Sequence, residues 1–397
     1  MPTMSQGRYA FLALLLGLLP MLMPLSVDGS VALMPAVATY FSAGIEPVQM
    51  SMSSLVLGVA VGQLVYGPLS DRYGRKPIIL FGILCYSLFA AICSQAPNVE
   101  SLIFLRFLQG FFACSGVIVA RAVIRDLFDR EAGARLFALI MGIHGIMPTI
   151  APAVSGWMTE ELGWQSVFWA MSLFGMLTGL AILLGLSETN SEKNPKALNL
   201  KSMVCNYGEI IKNRNFRSHA VCASFMYGAL MAYYAGAPVC FIEYLGLTPK
   251  VVGMVMAVPM VFYCIAQITV ARFVHVVGIQ QLIRVGTCIG TLASAALLIF
   301  VLCGQINVYT LIGPIIVILV ALAFVVPSTT AGAMSPFAKI AGAASSLLGF
   351  IQFFAAAAGM FLIAVLNDGT PLPMAGVIFV CAVGAFLSYF SFIRTLR

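Results

Sequence analysis

Apolar runs long enough to cross a bilayer alternate with short polar breaks along almost the whole chain. About 20 predominantly apolar residues in helical conformation span the hydrocarbon layer. By that measure the pattern predicts twelve spans, at 9–40, 47–68, 77–96, 100–124, 133–157, 164–187, 216–243, 249–273, 281–304, 307–333, 338–365 and 371–393. The longer ones imply tilt or protrusion beyond the lipid. One long polar interruption, 188–218, separates six spans from six. Within it Met203, Val204, Tyr207, Ile210 and Ile211 recur at helical spacing. A short helix lying on a membrane surface fits that spacing, and a flexible linker fits the composition equally well.

The expected fold class is therefore an all-α polytopic membrane protein. Twelve transmembrane helices would form two six-helix bundles, 1–187 and 216–397, joined by a linker at 188–215. Two parallel repeats are suggested by the six-plus-six arrangement. The internal echo is faint: Arg272-Phe-Val-His-Val-Val-Gly278 in the second half against Asp71-Arg72-Tyr-Gly74 in the first. Composition agrees with a lipid solvent, at 61% hydrophobic residues, 9% charged and a mean hydropathy of +1.01.

A net charge of +7 raises the question of nucleic acid, and the placement of the bases answers it. With the N-terminus in the cytoplasm, eighteen of the twenty-one Lys and Arg fall in segments on that side. Lys250 alone lies outside, and Arg106 and Arg121 fall within a span. This is the positive-inside asymmetry of a multi-pass protein with both termini cytoplasmic, not a nucleic-acid surface. Arg8 and the apolar run after it resemble a signal peptide, but the spans that follow favour an uncleaved first helix. Ten scattered cysteines without a Cys-x-x-Cys pair read as small buried hydrophobes, and His144, His219 and His275 form no metal-ligand pattern. No phosphate-binding loop and no hydrolytic triad is visible, so neither an ATP-driven machine nor an enzyme is expected.

Three places carry unexplained chemistry. The first is Gly67-Pro-Leu-Ser-Asp71-Arg72-Tyr-Gly74-Arg75-Lys76-Pro77, one acid and three bases in six residues. Charge so dense cannot lie in hydrocarbon, so a tight loop at one membrane surface is expected, with Gly67 and Gly74 serving a sharp reversal. Arg125, at the end of span four, is a candidate partner for Asp71. A plain basic turn explains the bases, but not the acid among them.

The second is the pair of intramembrane charges, Asp28 and Arg106. Asp28 lies 20 residues after Arg8 and Arg106 lies 19 before Arg125. Both are then about 30 Å of helix path from one surface, at about 1.5 Å per residue. An acid and a base at one depth can face a common cavity, or simply clasp two helices. Pro24, Gly29 and Pro35 loosen the helix around Asp28. Gln109 is the polar neighbour of Arg106, whose helix face carries Gly110, Ala113, Val117 and Ala120, a surface suited to close packing.

The third is Pro148-Thr-Ile-Ala-Pro152-Ala-Val-Ser155-Gly156 in span five, where two prolines bend the helix at a gate or merely kink it. In the second half Tyr227, Tyr234, Tyr263, Gln267 and Gln352 are candidates to line a cavity, and packing is the alternative.

The 67–77 sequence resembles the signature loop between helices two and three of the major facilitator superfamily. Arg106-x-x-Gln109-Gly110 resembles that superfamily's helix-four motif. The segment from Pro148 to Gly156 is similar to its helix-five antiporter motif, departing from Gly-Pro…Gly-Gly at Ala151 and Ser155. Pro24-Leu-Ser-x-Asp28 and Arg121-Ala-Val-Ile-Arg125-Asp126 resemble the Bcr/CflA group of drug:proton antiporters.

The resemblance implies alternating access around a central cavity, with Asp28 binding the proton and Arg106 and Gln109 assisting. It implies a conformational latch of Gly67, Asp71, Arg72, Gly74, Arg75 and Arg125. No cofactor is implied beyond a proton gradient. The partners implied are a small-molecule substrate, protons and the bilayer, with the chain a monomer in the bacterial inner membrane. A dedicated exporter of an endogenous metabolite such as a siderophore shares the same motor. A non-transporting receptor on this scaffold is a third reading, against which the acid at membrane depth and the intact latch both speak.

Overall fold

A computed structural model describes residues 6–128, 133, 136, 140, 146–190, 193–195, 197–337 and 340–394. Among them there is no strand. Helix α1 (Gln6–Asp28) ends in a turn before the short α2 (Met34–Tyr40); α3 (Ile45–Tyr73), α4 (Arg75–Cys93), α5 (Val99–Leu127), α6 (Ile146–Leu162) and α7 (Trp164–Gly185) complete the first half. A linker with α8 (Leu200–Lys212) leads to α9 (Arg214–Pro238), α10 (Pro249–Val277), α11 (Ile279–Leu302), α12 (Val308–Met334), α13 (Ala341–Leu366) and α14 (Leu372–Ser388). Eleven helices among the described residues are long and apolar enough to cross a membrane. The expected fifth span begins at 133, and most residues between there and 146, His144 included, lie outside the described residues.

Two expectations change in detail. The first span is not one helix over 9–40. Asp28 is the last residue of α1, and the chain then tightens, with Ser30 N–H bonding Val27 O at 3.1 Å instead of reaching Ser26 O. The second is the 67–77 loop. Helix α3 runs on through Gly67 and Pro68 to Tyr73, so the reversal is made by Gly74 alone at φ 108°, ψ 158°. That backbone region is closed to L side chains. Gly67 is instead a helical residue facing α13, where an added Cβ would lie at an ordinary contact distance, 3.4 Å, from Ser346 Oγ. Gly278, at φ 83° and ψ 150°, makes the same reversal between α10 and α11, so the faint echo of Gly74 is a repeated structural position.

Side-chain polarity is distributed as lipid requires. Leu84, Leu184, Leu292 and Val380 lie on the outside, while Asp28, Arg106, Gln49, Gln63 and Gln109 are buried. Small residues bring helices together, since lipid offers no hydrophobic drive for their association. Gly110 of α5 packs on the Leu55 backbone of α3. Across the two halves, α3 packs along α13 and α6 along α10. In the second contact Gly253 seats the Pro152 carbonyl and Gly156 the Pro249 carbonyl. None of the ten cysteines is joined in a disulfide. In α8, Ile210 is buried and Val204 and Ile211 are exposed, an amphipathic segment.

Candidate functional site

The end of α1 fixes the first site. Because Ser30 N–H turns to Val27 O, the Ser26 carbonyl lacks its usual helical donor. Arg106 supplies one, with Nη2 donating to Ser26 O at 2.8 Å and to Ser30 Oγ at 2.7 Å. Its Nη1 donates to Gln109 Oε1 at 2.8 Å, one helical turn on, and the guanidinium lies 5.4 Å from the centre of the Phe168 ring. Ser30 Oγ also donates to Ser26 O at 2.6 Å, and Ser26 Oγ meets Tyr86 Oη at 2.8 Å. Arg106 therefore grips the backbone two residues before Asp28 and the hydroxyl two residues after it.

Asp28 itself does not pair with Arg106. Its carboxyl, in a residue only 3% exposed, lies within electrostatic reach of the Tyr234 hydroxyl of α9, from the other half of the chain, while Tyr234 Oη itself donates to Met260 Sδ at 3.7 Å. Nearby Gln49 Nε2 donates to Ala235 O at 2.8 Å, and Ser53 Oγ to Ala357 O at 2.7 Å, further seams between α3 and the second half. From Tyr234 a row of phenols runs through the second half. Tyr263 lies within electrostatic reach of both Tyr234 and Tyr227, and Tyr227 of Arg121. Gln267 Nε2 donates to Tyr263 Oη at 2.6 Å.

The second site is the charged end of α3. Arg75, nearly buried, bonds Asp71, donates from Nε to Asp126 Oδ2 at 2.9 Å and from Nη1 to Ser70 Oγ at 2.8 Å. The partner from α5 is thus Asp126, joined through Arg75, and not Arg125. Neighbouring helix residues point about 100° apart, so Asp126 faces α4 while Arg125 faces the second half, near Gly342. Arg72 turns outward over the Tyr73 ring.

Sequence reading gave no role to Glu188, which ties this corner together. Its carboxylate accepts from the backbone N–H groups of Arg75 (2.9 Å), Lys76 (3.1 Å), Thr189 (2.9 Å) and Asn190 (2.8 Å). It so caps the start of α4, where the helix dipole favours an anion. Partial burial pushes its pKa up, but the four N–H donors outweigh this and hold it below the usual carboxylate range. Asn190 Nδ2 and Asn194 N–H both donate to Asp71 O, at 3.1 and 3.0 Å.

A hollow of about 440 Å³ lies beside the second site, at the Asp71 end, within the range of small-molecule pockets. The first half lines it with Gln63, Gly67, Asp71, Arg75, Arg121 and Arg125. The second half adds Ser345 and Ser346, and the linker adds Asn194, Asn206 and Tyr207. None of Tyr227, Tyr234, Tyr263, Gln267 and Gln352 is among its lining residues. Tyr234, Tyr263 and Tyr227 form the phenol row, Gln267 bonds Tyr263, and Gln352 is buried in α13. Pro152 is passed without interruption by α6, with Pro148 near the helix start, so that motif forms the α6–α10 contact through Gly156.

Helices in two sets of similar topology, a hollow at their junction and ionisable residues buried at membrane depth define a polytopic transporter. Residues 16–360 match the family model described as Major Facilitator Superfamily, and the chain belongs to that family of transporters, not to an enzyme family. It is 30% identical to the uncharacterized MFS-type transporter YdgK of Bacillus subtilis (strain 168), over 96% of this chain and 94% of that protein. It is 29% identical to the bicyclomycin resistance protein homolog of Haemophilus influenzae, over 98% and 97%, and 27% to the multidrug resistance protein MdtL of Salmonella heidelberg, over 94% and 93%. Among solved structures the D-xylose-proton symporter superposes with a TM-score of 0.79 at 14% identity, covering 98% of each chain.

Proposed function

We propose that this protein exports small, partly apolar molecules, drugs among them, across the bacterial inner membrane in exchange for protons. The two bundles, 1–187 and 216–397, rock about the α3–α13 and α6–α10 seams as a monomer, with linker and termini in the cytoplasm. The observation that carries this reading is the Asp28 carboxyl, buried against Tyr234 of the opposite half. A charge isolated from water in this way is costly, so protonation and separation of the halves are linked. Here the hollow lies at the Asp71 end, while Gln49 and Ser53 bond the second half elsewhere along α3. Protonation of Asp28 weakens the Tyr234 contact and favours the alternative opening, and loss of the proton restores the present one. Arg106 and Gln109 hold the Asp28 segment in register. Asp71, Arg75 and Asp126, braced by Glu188 and turned by Gly74, form the latch, and Arg125 faces the opposite half from beside it. The names of the relatives from Haemophilus and Salmonella support drugs as cargo.

The test is transport in reconstituted vesicles under an imposed pH gradient. Asp28→Asn is expected to abolish gradient-driven accumulation while leaving substrate binding measurable. Equal, still proton-coupled transport by Asp28→Asn would overturn the assignment.

A further inference from the structure

The linker does more than join the two halves, because its helix forms part of the hollow. Met203, Asn206 and Tyr207 of α8 line the space, and Ile210 follows on the same stripe of the helix. Val204 and Ile211 lie off that stripe and are 68% and 45% exposed. Ile210 is wholly buried, in a cluster with Phe216 of α9 and with Ala344, Leu347 and Leu348 of α13. Asn213 alone separates α8 from α9, and its Oδ1 accepts the Phe216 N–H at 3.1 Å. Helix α8 is therefore fixed to the second half. The start of the linker is held by the first half instead, where Asn190 Nδ2 and Asn194 N–H donate to Asp71 O. The linker so crosses from one half to the other beside the hollow.

The lining differs in chemistry from side to side. The first half presents Gln63, Ser70, Asp71, Arg75, Arg121 and Arg125, a polar and charged surface. The large apolar side chains are Ile118 of α5, Met203 and Tyr207 of α8 and Met334 of α12. Two of these four belong to the linker, and Tyr207 is the one aromatic ring among the described lining residues. Tyr207 also packs against the Ile210 cluster, so its ring is held in place before anything binds. Met203 stands one helical turn before it. An aromatic molecule gains from contact with a ring and from contact with a thioether, and a saturated molecule of the same outline does not.

We infer that α8 is the wall on which the apolar part of a bound molecule rests, and that Tyr207 sets a preference there for flat aromatic surfaces over saturated ones. The linker then selects cargo as well as joining the bundles. Its biological meaning rests on the transport reading above, but the binding preference is independent of proton coupling.

The test uses purified full-length protein in detergent and two neutral probes of similar outline, 2-naphthamide and decahydro-2-naphthamide, titrated by calorimetry. Wild type is expected to bind the aromatic amide about fivefold more tightly than the saturated one, the worth of a favourable ring contact. Tyr207→Leu should bring that ratio close to one, while Tyr207→Phe keeps it. Met203→Leu, which removes the thioether and keeps the bulk, should narrow the ratio by about twofold, so the question is decided even if Tyr207→Leu does not fold. Val204→Ala, on the exposed side of the same helix, should leave the ratio unchanged. No binding of 2-naphthamide, equal or tighter binding of the saturated amide by wild type, an unchanged ratio in Tyr207→Leu, or an equal loss in Val204→Ala overturns the inference. No proton gradient enters these measurements. Failure here leaves the role of Asp28 standing, and failure of Asp28→Asn to uncouple transport leaves these ratios standing.

Discussion

The Asp28 carboxyl and the Tyr234 hydroxyl lie within electrostatic reach of each other across the junction of the two halves, both residues only 3% exposed. The acid sits on the last residue of α1 and the phenol on α9, so the contact exists only while those helices stay together. In the present packing Tyr234 Oη donates to Met260 Sδ at 3.7 Å and lies within electrostatic reach of Asp28; a hydrogen bond to the carboxylate, once made, is worth about 1.5–3 kcal/mol, roughly ten- to a hundredfold in an equilibrium. Tyr234→Phe is therefore expected to lower gradient-driven transport by about tenfold or more. The double variant with Asp28→Asn should be no worse than Asp28→Asn alone, since both remove one contact. Initial rates in vesicles across the four proteins check this; independent, multiplying losses would place Tyr234 outside the coupling step.

Arg106 makes its contacts as a fork, to Ser26 O and Ser30 Oγ from one nitrogen and to Gln109 from the other. A lysine keeps the charge but cannot hold these directions at once. Arg106→Lys is expected to destabilise the protein by about 1–3 kcal/mol, the cost of leaving buried acceptors unpaired. It should also impair transport although Asp28 is intact. Thermal unfolding of the detergent-solubilised variant beside vesicle transport checks both halves of the statement.

These two sites differ in how far they can be read from sequence. Asp28 and Arg106 stand out because charge is costly in an apolar run, and that cost needs no knowledge of neighbours. Their partners do not stand out. The Ser26 carbonyl becomes available only because the helix tightens after Asp28, and Tyr234 is reached only once two halves pack. The extension of α3 through Pro68 is not legible in the sequence because a proline beside a glycine reads as a turn, whereas membrane helices tolerate it. Glu188 carries no local pattern at all, since its donors at Arg75 and Lys76 come from more than a hundred residues earlier in the chain. Arg125 and Asp126 are adjacent in sequence, and only the packed helix shows which one faces Arg75.

Gly74 and Gly278 make equivalent reversals, but only one is crowded. An added Cβ at Gly74 would lie 2.6 Å from Glu188 Oε2, while at Gly278 nothing lies within 4 Å. Both substitutions meet the backbone cost of positive φ, about 1–3 kcal/mol. Gly74→Ala must also displace the carboxylate that caps α4. It is expected to lower the unfolding temperature more than Gly278→Ala, and Glu188→Gly in the same chain should remove most of the difference. Equal shifts for the two alanine variants would mean that the Glu188 contact yields freely.

The same carboxylate gives a pH dependence whose sign follows from its surroundings. Four backbone N–H donors hold Glu188 below its ordinary pKa, against the opposing effect of partial burial. A carboxyl depressed in the folded state adds stability above its unfolded value, near 4.3, and loses that contribution as pH falls through the folded value. The side chain is largely exposed, so solvent screening keeps the effect small. The difference in unfolding temperature between wild type and Glu188→Gln should accordingly stay constant from about pH 8 to about pH 6 and shrink below about pH 4. Unfolding scans of the two proteins across that range supply the check. A difference that grew on acidification would mean the protonated form of Glu188 is the one the α4 terminus holds. The cap would then be a neutral hydrogen bond, insensitive to the helix dipole.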